Sequence, residues 1–386
     1  MYLTAAIAAV FSLIYLDIPS YLFVLNARLP PKYFYYALAV IVAPFLLLKL
    51  REFVLYMISP FSLWVLAEII IHTHGLLDGS EAMAQVIIFR VQYLILSILF
   101  GFTVSIARTE SYEGVFRILA TAIPVLVIID FISPGTFYPI GTEATVLGRA
   151  SAMYINPTRA GEAILLTCLL AIPVMRVQYR MPLLLLVGAG VLVTFSRGPI
   201  LVWALFWLFL LITRKLPKYS SVFLIVVFAA LPLLLSIFTS YLQARQDLGF
   251  GLSNILGRLD FFQTRSLNED SAQERMAVLE TGWRIFLENP IFGAGIGITD
   301  FQSNIWPHRV NTHNQIVMVA AEQGVFGIAL WVWLLVILWQ GSYFQDTRFQ
   351  LAAAVGTFFM SFFGHLMLSD LYWLMTFALI SGRRQA

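Results

Sequence analysis

Three side chains have the chemistry and the placement to form a reactive group: one histidine, His313, and two arginines, Arg197 and Arg275. A neutral imidazole can accept a proton. A planar guanidinium donates paired hydrogen bonds to phosphate oxygens, which suits arginine rather than lysine to a phosphate clamp. Two such groups converging would hold a diphosphate and stabilise it as it departs.

His313 lies in Asn311-Thr312-His313-Asn314-Gln315, where a polar stretch gives way to an apolar run. Thr312 and Gln315 have the spacing of a capping box, which predicts a helix with His313 in its first turn. There the positive end of the helix dipole disfavours the protonated ring and leaves it a proton acceptor at pH 7. The competing role is a histidine that only caps or packs. Arg197 sits in Thr194-Phe195-Ser196-Arg197-Gly198-Pro199, a turn between two apolar runs. A charge near membrane depth is costly unless paired and so marks function, the alternative being a side chain that snorkels to the headgroups. Arg275 begins a predicted helix whose apolar face is Met276, Leu279, Trp283, Phe286 and Leu287, stopped by Pro290; it flanks that face.

Other polar residues are secondary candidates. Arg149 and Arg159 bracket Tyr154-Ile155-Asn156-Pro157 and would add positive potential, while Arg284 is less well placed than Arg275. Arg90 lies inside a span and needs a partner or a water-filled cavity. His308 precedes the predicted cap by four residues and is a possible second polar contact. Glu322 and Gln323 follow His313 by ~13 to 15 Å of helix, too far for Glu322 to orient the ring. Gly293-Ala294-Gly295-Ile296-Gly297 lacks the strand-before-helix context of a dinucleotide loop and reads as a flexible turn. His72-Thr73-His74 with Asp78 has no second cluster of ligands to complete it, so no metal site is expected.

The elements that must position these residues are membrane helices. The chain has 386 residues, of which 60% are hydrophobic and 12% charged, with a mean hydropathy of +0.84. Those values lie outside the range of soluble domains and predict an all-α polytopic membrane protein. Apolar runs mark about twelve spans, near 3–25, 33–48, 54–71, 85–106, 114–132, 159–175, 181–195, 198–213, 219–240, 313–340, 348–366 and 368–381. The span from 313 is long enough to bend near Gly324 and Gly327. The chain thus divides into nine spans over 1–240, a polar stretch over 241–312 and three spans over 313–386. The polar stretch carries two amphipathic helices, the first marked by Leu248, Leu252, Ile255, Leu256, Leu259 and Phe262.

Basic residues in short loops put both termini on the cytoplasmic side and the polar stretch outside. Met1-Tyr2-Leu3-Thr4 lacks a basic leader, so the first run is expected to be retained. Cys168 is the single cysteine, which excludes an intramolecular disulfide and a thiolate metal site. A net charge of +3 spread over loops gives no basic patch for nucleic acid.

Along nearly its whole length the chain resembles the O-antigen ligase and polymerase superfamily of bacterial envelope enzymes. The resemblance rests on Arg149 with Asn156-Pro157 before a span and on Ser196-Arg197-Gly198 between spans. It continues in Arg275 with Trp283 and Pro290-Ile291-Phe292-Gly293-Ala294-Gly295, and in Thr312-His313-Asn314 leading to Glu322-Gln323-Gly324-Val325-Phe326-Gly327. It implies a GT-C-like membrane enzyme that inverts the anomeric carbon without metal, nucleotide or other cofactor. Its donor would be an undecaprenyl-diphosphate-linked glycan and its acceptor a hydroxyl at the periplasmic face of the bacterial inner membrane. Arg197 and Arg275 would bind the diphosphate, and His313 would draw the acceptor's proton. The acceptor would be lipid A-core in a ligase, or another lipid-linked glycan in a polymerase, with a slight preference here for the ligase. A transporter or flippase of lipid-linked solutes competes, since Arg90 and Arg117 lie in apolar runs, but no paired halves are visible. A structural scaffold is the third alternative.

Overall fold

The computed structural model describes residues 2–25, 30–74, 81–107, 110–139, 149–223, 270–301, 312–364 and 366–382, with 226, 236 and 240. Among these the regular structure is helical, as predicted. In chain order the helices are α1 (Tyr2–Tyr15), α2 (Ile18–Val24), α3 (Pro31–Leu48), α4 (Leu50–Met57), α5 (Pro60–His74), α6 (Glu81–Ser105), α7 (Glu110–Ile132), α8 (Pro157–Ala171), α9 (Val177–Leu192), α10 (Arg197–Ile212), α11 (Asp270–Glu288), α12 (Ile298–Phe301), α13 (Gln315–Gln340), α14 (Thr347–Met360) and α15 (Leu371–Ser381). Five of the described elements are long and apolar enough to cross a membrane, built on α3, α6, α7, α8 and α13. The number rises to seven if α1 with α2, and α4 with α5, each form one bent span. The second of these pairs bends by 68°, where Pro60 supplies no N–H to the preceding turn and opens a new helix. The predicted span at 219–240 and the first amphipathic helix fall almost wholly outside the described residues.

Two compact units are present: residues 1–14, 31–112 and 270–386, and residues 15–30 and 113–269. In the first, α6 packs against α3, α5 and α15, while α13 packs against α5, α11 and α14. Trp64, Phe100, Phe102, Trp373 and Phe377 fill this interior with nearly no exposure. In the second unit α8 packs against α9 and α10. Every residue from Ala160 to Ala171 is buried, so α8 is an interior helix with no solvated stripe.

α13 breaks where the sequence anticipates it. Gly324 has φ 64° and ψ −151°, a combination open essentially to glycine alone, and it interrupts the helical hydrogen bonds around it. Three of the backbone groups beside the break are satisfied by the segment that follows α11. Ala294 N–H donates to Ala321 O (2.8 Å), Gly295 N–H donates to Glu322 O (3.1 Å), and Val325 N–H donates to Pro290 O (2.8 Å). Unpaired backbone groups at membrane depth would each cost several kcal/mol. The glycine-rich stretch expected to be a flexible turn is therefore a hydrogen-bonded strap. Its glycines let one backbone lie directly on another.

Candidate active site

His313 lies in the first unit, just before the cap of α13 rather than in its first turn, two positions further out than predicted. α13 starts at Gln315, and its cap is Asn314, in extended conformation, whose side chain accepts from Ile316 N–H (3.0 Å) and Val317 N–H (3.1 Å). The capping box expected from Thr312 and Gln315 does not form, because an asparagine nearer the helix takes the same orphan donors. Thr312 Oγ1 instead donates to Asn314 O (3.1 Å). The Gln315 carboxamide faces away from the cap and accepts from Met367 N–H (3.1 Å), and Gln315 N–H donates to Ser361 O (2.7 Å). These bonds fix the segment on both sides of His313. The histidine is half-buried with φ 50°, a left-handed position that a non-glycine residue adopts only where its surroundings demand it. Asn314→Ala should lower stability by about 1 kcal/mol. The drop would appear as a reduced Tm in detergent, with His313 losing its fixed turn.

α11 lies along this turn. At Gly282 a Cβ would come 2.8 Å from Val317 Cγ1 and 2.9 Å from Thr312 Cγ2, so the α11 backbone packs directly on these side chains beside His313. Eight residues on, Pro290 meets Val325, itself eight residues beyond Val317. α11 and the start of α13 therefore run side by side in the same direction and in register. Arg275, expected at the start of its helix, is in its second turn because α11 begins at Asp270. Its backbone is seven residues before Gly282, or ~10.5 Å along the axis. It therefore lies about two helical turns before the point where α11 meets Thr312. Arg284 is exposed on the same helix.

The second unit holds Arg197 at the first position of α10, half-buried, behind Ser196 as cap. The preceding Phe195 has φ 49°, so the pattern at His313-Asn314 recurs: a left-handed residue, an extended cap, then a helix. Here the turn is held by its neighbours. Thr194 Oγ1 accepts from Ser196 N–H (3.2 Å), Arg149 Nε donates to Thr194 O (3.0 Å), and Arg149 Nη2 donates to Ser196 Oγ (2.9 Å). Thr158 Oγ1 is 3.3 Å from Ser196 Oγ, and Ala150 N–H donates to Val193 O. Asn156 caps α8 through Thr158 and Arg159 N–H, and Asp130 Oδ2 accepts from Ser151 and Ala152 N–H, both at 2.9 Å. Tyr138 and Tyr154 hydroxyls donate to Met153 O and Tyr15 O. Burial pushes both phenols above their ordinary pKa, so they stay protonated donors.

The secondary candidates resolve accordingly. Arg149 braces the turn that carries Arg197, and Arg159 lies 3.6 Å from the Asp17 carboxylate. Arg90, predicted to need a partner, has one: Nη1 donates to Glu322 Oε2 (2.5 Å), with both groups buried. Glu322 also accepts from Gly297 N–H (3.0 Å) and Thr299 Oγ1 (2.7 Å). Beside it Gln323 Nε2 donates to Glu68 Oε2 (3.1 Å), and His72 Nδ1 donates to Glu68 O (2.7 Å). The sequence places Glu322 too far along the helix to orient His313 and does not by its spacing pair it with Arg90. The available signal was electrostatic: Arg90 and Glu322 are opposite charges stranded in apolar runs, and each needs the other. His308 lies outside the described residues. Among the described residues no group of three or more metal-ligating side chains occurs.

Residues 182–332 match the family described as O-Antigen ligase. The matched stretch contains Arg197, Arg275, His313 and the Glu322-Gln323-Gly324 break. No curated protein matches the chain. A solved structure titled "Structural coordination of polymerization and crosslinking by a peptidoglycan synthase complex" is similar at 18% identity. That likeness covers 83% of this chain and 96% of that one, with a TM-score of 0.45, too distant to fix fold or activity.

Proposed function

From the match that places residues 182–332 in the O-antigen ligase and polymerase superfamily, we propose that the protein is a metal-independent inverting glycosyltransferase with a GT-C-like arrangement. It moves a glycan from an undecaprenyl-diphosphate carrier to an acceptor hydroxyl at the periplasmic face of the inner membrane. The observation that carries this is that the matched stretch holds both arginines and the histidine.

In this mechanism His313 takes the proton of the acceptor hydroxyl as its oxygen attacks the anomeric carbon. The new glycosidic bond forms on the face opposite the bond that breaks, so the configuration inverts. The electrons of the broken bond leave on the carrier diphosphate. Arg197 and Arg275 neutralise that charge as it develops. The packing of the Arg275 helix beside the His313 turn supports this assignment for Arg275, and the braced turn at Ser196 supports it for Arg197.

Ligation to lipid A-core is the preferred outcome, and polymerisation of lipid-linked repeats is the alternative. Purified protein in vesicles is incubated with undecaprenyl-diphosphate-linked glycan, with and without lipid A-core. Glycan on lipid A-core identifies a ligase, and longer lipid-linked chains without added acceptor identify a polymerase. Absence of either product, with solute or lipid crossing the vesicle instead, would refute transfer.

A further inference from the structure

Glu322 makes contacts that neither helix formation nor the proposed chemistry requires. It is buried beside the break in α13, and its carboxylate joins three parts of the first unit: Arg90 on α6, Gly297 N–H in the strap, and Thr299 Oγ1 in α12. Its backbone carbonyl receives Gly295 N–H from the same strap. A lone buried carboxylate in this setting would be costly, and the Arg90 guanidinium pairs with it and aims it. The carboxylate then has lone pairs to spare, and the strap uses them. The strap thus hangs on the break through both backbone and side-chain hydrogen bonds.

The strap is also the continuation of α11. With Gly282 seated against Thr312 and Val317 at one end and Pro290 bonded to Val325 at the other, the position of α11 along α13 is set by where the strap is held. Slippage by one residue would shift α11 by ~1.5 Å. Displacements of about 1 Å from productive geometry cost on the order of a hundredfold in rate.

We propose that Arg90, Glu322 and Thr299 form a latch that sets the register of the Arg275 helix against the His313 helix, making all three positioning residues for glycan transfer. This rests on the transferase assignment above for its kinetic consequence, but not for the latch itself.

The test uses the full chain in lipid nanodiscs and reads hydrogen–deuterium exchange alongside transfer kinetics. Thr299→Val removes the hydroxyl that donates to Glu322, and Thr299→Ser keeps it; Glu322→Gln is the stronger variant. Thr299→Val should raise exchange tenfold or more across residues 289–299 and the last turns of α11, and leave α14 and α15 unchanged. Its kcat should fall by about tenfold or more with KM for the acceptor unaltered, and Thr299→Ser should restore both measurements. Should Glu322→Gln fail to fold, the two Thr299 variants still decide the matter. Unchanged exchange in Thr299→Val would overturn the latch, as would failure of serine to restore it. Loosened exchange with undiminished kcat would overturn the positioning role. If the wild-type protein transfers no glycan, the transferase assignment falls while the exchange arm still judges the latch.

Discussion

His313→Ala should abolish glycan transfer while the protein still inserts and folds. The expected loss is about a hundred to ten thousandfold, the usual contribution of a positioned proton acceptor. The structure favours a clean outcome, because the cap of α13 belongs to Asn314 and the flanking anchors to Thr312 and Gln315. None of these uses the imidazole. The test is transfer of lipid-linked glycan in purified vesicles, with Tm measured on the same preparation. Normal transfer by the variant would remove His313 from the mechanism. A large fall in Tm would instead make it a structural residue.

Gly324→Ala should cost the protein much of its stability. A Cβ there would lie 2.3 Å from Ile291 O and 2.7 Å from Gly293 N, both backbone atoms with no freedom to swing aside. The φ of +64° with ψ −151° adds about 1 to 3 kcal/mol of strain for any residue bearing a side chain. Relief requires the strap to lift off the break, which exposes the carbonyls of Ala321 and Glu322. Against a total stability of about 5 to 15 kcal/mol, the sum is enough to prevent accumulation of folded protein. Gly114→Ala is the matched control, since a Cβ there meets nothing within 4 Å. Monodispersity in detergent and Tm should separate the two variants, and an unaltered Gly324→Ala profile would refute the strap as a structural necessity.

Much of the architecture could be read from apolar periodicity. Long runs around 85–106, 114–132 and 313–340 became α6, α7 and α13, and a glycine inside the longest of them marked its break. Local polar contests were harder. Thr312 and Asn314 are both good caps, and spacing alone favoured the threonine; the backbone awarded the position to the residue closer to the helix. Long-range pairing was least accessible. Arg90 and Glu322 are separated by 232 residues, so only the cost of burying each charge hinted at their meeting. Gly293 to Gly297 misled for a related reason. Glycines permit flexibility and also close backbone contact, and composition does not distinguish the two.

The shared hydrogen bonds at the break also constrain how the protein is made. Residues 290–295 leave the ribosome before Ala321 to Val325, so the strap waits in an unfinished chain for the helix that will complete it. Until then the peptide groups of Ala321, Glu322 and Val325 lack the partners they have in the finished protein. The strap can therefore reach its place only after the α13 segment has been made, so the break in this protein is completed late.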